Sequence, residues 1–252
     1  MTMKYISFFL FVCLCAAVAL FSGERGQERS KLLGAWIKGE SSVEAYESGS
    51  RRTKAETVVV VDPGHGGNDP GKVGTGGVEE KGINLSIAGR LKSLLELNDI
   101  TVVMTRETDE GLYDSSASNK KADDLKKRVK LIEESGASVA VSIHQNSYTD
   151  ASCRGAQTFY YTDSSEGEEL ARILLEQLKA VLNDGNHRTE KENDSYYMLK
   201  KSTIPTVIVE CGFLSNPDEK EMLLSEEYQE KIAWALHLGI LEYLNTIQQP
   251  AM

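Results

Sequence analysis

Hydrophobic positions fall into two alternating patterns once the chain passes Glu56. Val58–Val61 is an unbroken run of β-branched residues, the mark of a strand buried on both faces. "INLSIAGRLKSLLEL" then spaces Ile83, Ile87, Leu91, Leu94 and Leu95 along one face of a helix. The alternation continues. "ITVVMT" predicts a strand, "DDLKKRVKLIEES" a helix with Leu125, Val129 and Ile132 inward, and "SVAVSI" and "AQTFYY" two more strands. "GEELARILLEQLKAVL" predicts a helix burying Leu170, Ile173, Leu174, Leu178 and Val181. "TVIVE" is another buried strand, and "EEYQEKIAWALHLGILEYL" a closing amphipathic helix. Strands alternating with helices predict a single α/β domain, a twisted, mainly parallel sheet with helices on both faces. In such sheets the ligand site lies beyond the carboxyl ends of the strands.

Before Thr57 the pattern is different. Lys4 precedes an uncharged apolar run from Tyr5 to Phe21, which reads as a signal anchor or a signal peptide over residues 1–22. Residues 23–56 are polar, with a weak amphipathic piece at Leu32-Leu33 and Trp36-Ile37, and read as a tether to a domain spanning 57–247. The domain is therefore expected outside the cytoplasm, secreted or membrane-anchored, touching a membrane only through its N-terminal segment. A net charge of −10 and a pI near 5.0 argue against nucleic acid as a partner. Of the four cysteines, only Cys153 and Cys211 follow the signal segment, so a fold held by many disulfides is excluded. Two partly buried thiols, or a single bridge, remain.

Chemistry collects at strand ends. His65, in "VVVVDPGHGG", and His144, in "VAVSIHQN", each follow an apolar strand directly and so project from the carboxyl edge of the sheet. One loop histidine alone is usually just solvated; two at equivalent strand ends point to a shared role. His237, on the last predicted helix, reads as structural, and His187 lies in a loop. "GGVEEKGINL" places Glu79 or Glu80 at the start of the first helix, where an acid is also favoured by the helix dipole. Two histidines and a carboxylate with one position open form the ligand set of catalytic Zn²⁺. Glu210 closes the apolar run "TVIVE", a costly place for a carboxylate without a task, and is the candidate general base and acid. The glycine-rich turn after Val61 is not a phosphate cradle. It lacks the G-x-G-x-x-G and Gly-Lys-Ser/Thr patterns, and its two prolines remove N–H donors.

The ordered set "VVVDPGHGGNDPG", "EEKGINL", "VSIHQNS" and "VIVECGFLSNPDE" resembles the zinc-dependent N-acetylmuramoyl-L-alanine amidases of bacterial cell walls, over about Thr57 to Leu244. The resemblance implies zinc on His65, Glu80 and His144, with Glu80 preferred because the family's ligand directly precedes the lysine, here Lys81. It implies Glu210 as the catalytic carboxylate, with Asn146 and Arg128 as substrate-side residues. It implies peptidoglycan as substrate, cut between N-acetylmuramic acid and L-alanine. Cys211 is expected to point away from Glu210 into the core. Tyr148–Gly155 and Asn183–Tyr196, with Tyr197, are expected to line the groove. The short anchor, brief tether and single domain resemble in particular the germination-specific amidases of the spore cortex. That subgroup implies an accessory sporulation protein and a partner deacetylase that completes muramic-δ-lactam. The interval Asn183–Ser195 is too short for the inhibitory helix some related amidases carry. The alternatives are a zinc peptidase cutting within the stem and a non-catalytic wall-binding module.

Overall fold

The computed structural model describes residues 57–248, so the expected signal segment and tether lie outside the described residues. The elements follow in order: β1 (Val58–Pro63), β2 (Val73–Gly74), β3 (Val78–Glu79), α1 (Glu80–Glu96), β4 (Thr101–Met104), α2 (Lys120–Glu134), β5 (Val139–Asn146), β6 (Gln157–Tyr160), α3 (Ser165–Leu182), β7 (Lys191–Glu192), α4 (Tyr197–Lys201), β8 (Thr206–Phe213), α5 (Pro217–Leu224) and α6 (Glu226–Gln248). Six strands form one sheet in the order β4-β1-β5-β8-β6-β7, and β2 pairs with β3 in a small hairpin. Every pairing in the large sheet is parallel except β6 with β8. The predicted mainly parallel sheet is thus the observed one. Each predicted helix forms, the first starting at Glu80.

Strand alternation divides the core unequally. Val59, Val61, Val139, Val141, Ile143, Val207, Val209 and Cys211 face a large cluster built with α1, α3 and α6. Cys211 therefore points into the core as expected, and both Cys153 and Cys211 are free thiols. Val60 and Ala140 face the opposite side, where Ile132 of α2 and Met198 of α4 form a much smaller cluster. Asp62, Ser142, His144 and Glu210 follow the same even-numbered alternation, so they lie on this thinly covered face. One face supplies stability and the other has room for a site.

Local signals place the helices that frame the site. The Asn119 side chain accepts the Ala122 N–H at the start of α2, and Ser164 accepts from Gly167 at α3. Asn216 caps α5 by accepting from Asp218 and Glu219, with Pro217 in the first turn. His237, expected to be structural, is buried on α6, and the Asn98 side chain bonds its Nε2 at 2.8 Å. No helix among the described residues is long and apolar enough to cross a membrane.

Candidate active site

The loop after β1 explains its own composition. His65, Gly66 and Gly67 have φ of 63°, 132° and 57°, a left-handed stretch that turns the chain back within three residues. Glycine is needed at neighbouring positions for a steric reason. A Cβ on Gly64 would sit 2.2 Å from the His144 ring, and one on Gly71 would sit 2.5 Å from Glu80 Oε2 and 2.7 Å from the His65 ring. The backbone passes directly beneath three functional side chains, and only hydrogen atoms fit between.

Two buried arginines hold that loop. Arg106 donates to the carbonyls of Pro63 (2.9 Å), Gly64 (3.0 Å), Lys81 (2.8 Å) and Thr108 (3.0 Å). Arg128 donates to the carbonyls of Pro63 (2.9 Å) and His65 (2.5 Å), and pairs with Asp62 at 2.5 Å and Asp124 at 2.6 Å. Asp62 is fully buried and also accepts from Thr105 and Ser142. Burial works against its charge, but Arg128 and the two hydroxyls hold its carboxyl below the usual range. Arg128 itself is 1% exposed, and its guanidinium is spent on the protein, which is not where a substrate contact is expected.

The three expected donors converge. One atom each from His65, Glu80 and His144 lies within 4.8 Å of the others. Glu80 Oε1 is 3.3 Å from His65 Nε2 and 3.0 Å from His144 Nδ1, and the two imidazole rings meet edge to face with centroids 4.9 Å apart. Two of the donors, His65 and Glu80, are oriented from behind. His65 Nδ1 bonds the Asp69 carboxylate at 2.9 Å, which leaves Nε2 facing Glu80. Glu80 Oε2 accepts the Lys72 N–H at 2.7 Å, while Oε1 accepts from Gln145 N at 3.0 Å and Asn84 Nδ2 at 3.2 Å. Glu79, the alternative carboxylate, instead forms an exposed ion pair with Lys81. A buried carboxylate between two imidazoles, one backed by a second carboxylate, has the donor set and outer shell of a divalent transition-metal site. Burial opposes charge on Glu80, yet its hydrogen bonds to His144 and His65 hold its carboxyl well below the usual range. Burial also opposes charge on His65, but Asp69 and Glu80 raise its pKa to about 9.

Glu210 lies beside this cluster by strand register. It pairs with His144 across β5 and β8, and paired residues of parallel strands share a face. Its Oε2 is buried without a hydrogen-bond partner. Burial pushes the Glu210 carboxyl from 4.5 up to about 7, with the charge of Glu80 adding and the histidines opposing. A folded pKa above the unfolded value means that the folded state binds more protons between about 4.5 and 7, so this stability is lost as pH rises through that window. In chelator-treated protein, Glu210→Gln should therefore gain stability relative to wild type between pH 4.5 and 8. The full shift is on the order of 3 kcal/mol, and parallel urea titrations at the two pH values would expose a missing crossover.

Asn146 ends β5, where its side chain accepts the Ser147 N–H and its carbonyl accepts from Leu214. Tyr196 is partly exposed and stacks edge-on against Phe159, with burial and the charges of Glu210 and Glu80 raising its pKa. Tyr148 is 61% exposed. Within Asn183–Ser195 the only regular element is β7, so no long helix interrupts this loop. Three residues the sequence reading passed over matter here: Asp62, Asp69 and Arg106. The first two stand inside "DPGHGGND" and were legible as polar residues in a turn of glycine and proline. Arg106 carries no such signal, because its role exists only once β4 lies beside β1.

The Amidase_3 family, described as N-acetylmuramoyl-L-alanine amidase, matches residues 59–242. The germination-specific N-acetylmuramoyl-L-alanine amidase of Bacillus subtilis (strain 168) is 38% identical over 196 residues, covering 77% of this chain and 82% of that protein. AmiA of Escherichia coli (strain K12) is 29% identical, covering 82% of this chain and 81% of that protein. Among solved structures, the CwlD amidase from Clostridioides difficile, in complex with the GerS lipoprotein, has a TM-score of 0.74 and 41% identity, covering 76% of this chain and 100% of that one. With its sheet, its strand-end chemistry and its family match in agreement, the chain belongs to the N-acetylmuramoyl-L-alanine amidases of the Amidase_3 family, peptidoglycan hydrolases of the bacterial cell wall.

Proposed function

We propose that the chain cleaves the amide between the lactyl group of N-acetylmuramic acid and L-alanine with zinc held by His65, Glu80 and His144. The observation that carries this reading is the convergence of those three side chains beside an unpartnered carboxylate oxygen of Glu210. When bound, the ion supplies Lewis-acid polarisation of the carbonyl and acidifies the attacking water. Glu210 Oε2 takes the proton from that water and returns it to the departing alanine nitrogen. Burial raises the proton affinity of the Glu210 carboxyl, which favours its taking up a proton that it can later return. Asp69 holds His65 in the tautomer that turns Nε2 inward. Arg128 and Arg106 position the His65 loop from below, and Asn146 and Tyr196 stand at the rim, where the substrate lies.

The closeness to the Bacillus subtilis germination-specific amidase and to CwlD supports a role in spore-cortex maturation. There the N-acetylmuramic acid residue, left in the glycan without its stem peptide, would pass to a deacetylase on the way to muramic-δ-lactam. That CwlD was solved with a lipoprotein supports an accessory sporulation protein as a partner here. We further assign residues 1–22 to a signal anchor or signal peptide, residues 23–56 to the tether and residues 57–247 to the catalytic domain, acting outside the cytoplasm.

Mass spectrometry of digested peptidoglycan tests the bond assignment. Stem peptides beginning with a free L-alanine amine support it; fragments cut inside the stem would replace it with a peptidase. Gly64→Ala tests the packing beneath the site. The new methyl must displace the His144 ring, and misplacement by about 1 Å costs on the order of 100-fold in rate. Turnover within threefold of wild type would show that the ring has freedom the structure does not allow.

A further inference from the structure

A second concave site lies beyond the carboxyl end of β8. It is a cavity of about 440 Å³ lined by Arg154, Asp184, Asn186, His187 and Arg188, with the glycines Gly155 and Gly185 between them. In a chain of net charge −10 it concentrates two arginines and a histidine. Among the described residues, neither Arg154 nor Arg188 has a carboxylate within ion-pair distance, although most other arginines do. Asp184 is the one acid on the wall; its Oδ1 accepts the Asn186 N–H.

The cavity is built from pinned parts. Asn186 donates to the Ala156 carbonyl at 2.8 Å and accepts the Arg188 N–H at 3.0 Å. Gly155 has a φ of 91°, and a Cβ there would sit 2.7 Å from Asn186 Oδ1, so the two loops interlock. Arg188 donates Nε to the Arg154 carbonyl at 2.8 Å and lies over the Phe213 ring at 4.7 Å. A guanidinium fixed by its Nε and one flat face offers its two terminal nitrogens in a defined plane. That is the geometry for a bidentate carboxylate.

Its position relative to Glu210 follows from register. β6 runs antiparallel to β8 with Gln157 opposite Glu210, so the residues before Gln157 lie alongside those after Glu210. Phe213, beneath Arg188, is three residues beyond Glu210, but a bulge sets that pair against His144 and Asn146 of β5, so the two lie two strand steps apart, roughly 7 Å at about 3.3 Å per residue. Gln157 Nε2 also donates to the Thr189 carbonyl, which ties the Arg188 loop to the strand beside the catalytic carboxylate. An extended peptide covers that distance in about two residue steps, from the L-alanine at the cut bond to the third stem residue.

We propose that Arg188 and Arg154 form a subsite for a free carboxylate on the third residue of the stem peptide, two residues beyond the L-alanine on the amine side of the bond that is cut. This deepens the amidase reading and rests on it. It gives the enzyme a reason to distinguish stems by whether that carboxylate is free or amidated.

The test compares two muramoyl peptides that differ only in a free or amidated carboxyl on the third stem residue. Wild type, zinc-loaded, is expected to prefer the acid by about tenfold in kcat/KM. In Arg188→Gln that ratio should fall toward one, with Arg188→Lys intermediate because it keeps charge without the planar fork. The ratio is taken within one protein sample, so a loss of folded fraction cancels. Equal cleavage of both peptides by wild type overturns the subsite and leaves the amidase reading intact. A preference that survives in Arg188→Gln and Arg154→Gln also overturns it. If neither peptide is cut while the sacculus is digested inside the stem, the amidase reading itself fails and the subsite falls with it.

Discussion

Glu210→Gln is expected to bind zinc as wild type does and to turn over peptidoglycan on the order of 10³-fold more slowly. The substitution is nearly isosteric and keeps the strand register that places residue 210 beside His144. It removes the proton acceptor and little else, so the loss should appear in kcat, with KM close to that of wild type. After chelator treatment the variant should also be at least as stable at neutral pH, since the buried carboxylate costs the metal-free fold stability above its raised pKa. Steady-state kinetics with metal analysis of the same sample separate the outcomes. If Glu210→Gln kept a tenth of the wild-type rate with full metal content, proton transfer would have to be assigned to another group.

The second large effect concerns folding. Arg128→Met should lower stability by about 3–5 kcal/mol, because it strips the counter-ion from Asp62, which is 0% exposed. The Ser142 and Thr105 hydroxyls would then be left as its side-chain hydrogen-bond donors, with Arg106 and His144 acting on it only through space. The His65 and Pro63 carbonyls would lose donors at the same time. Urea unfolding near neutral pH reads this directly. A substrate contact at Arg128 makes a different forecast: KM rises and stability is unchanged. A loss below about 1 kcal/mol combined with a raised KM would restore the substrate-side role that family resemblance implies for this residue.

Arg128 also shows where sequence reading stops. The arginine is legible in "LKKRV", but what it touches is decided by α2 folding against β1, and nothing local encodes that contact. Periodicity was enough for the sheet, because a four-residue β-branched run and helices with regular apolar faces have few other ways to pack. It was also enough for His65, His144 and Glu210. A polar residue ending an apolar strand necessarily reaches the carboxyl edge of a parallel sheet. Which of Glu79 and Glu80 turns inward was not decided by position alone, since adjacent residues at a helix start differ by a rotation of about 100°. In the fold, Glu80 is buried between the histidines, and Glu79 is exposed beside Lys81. The short elements β2, β3, β7, α4 and α5 carry too few residues for a period to register. The reversed direction of β6 is equally invisible in "AQTFYY", because a strand has the same two-residue alternation whichever way it runs.

The most direct check is a crystal structure of zinc-loaded protein with anomalous data collected at the zinc edge. The expected result is one ion per catalytic domain, about 2.0–2.2 Å from one atom each of His65, Glu80 and His144, with solvent completing the shell. An ion bound elsewhere, or one enclosed by four protein ligands, would contradict it.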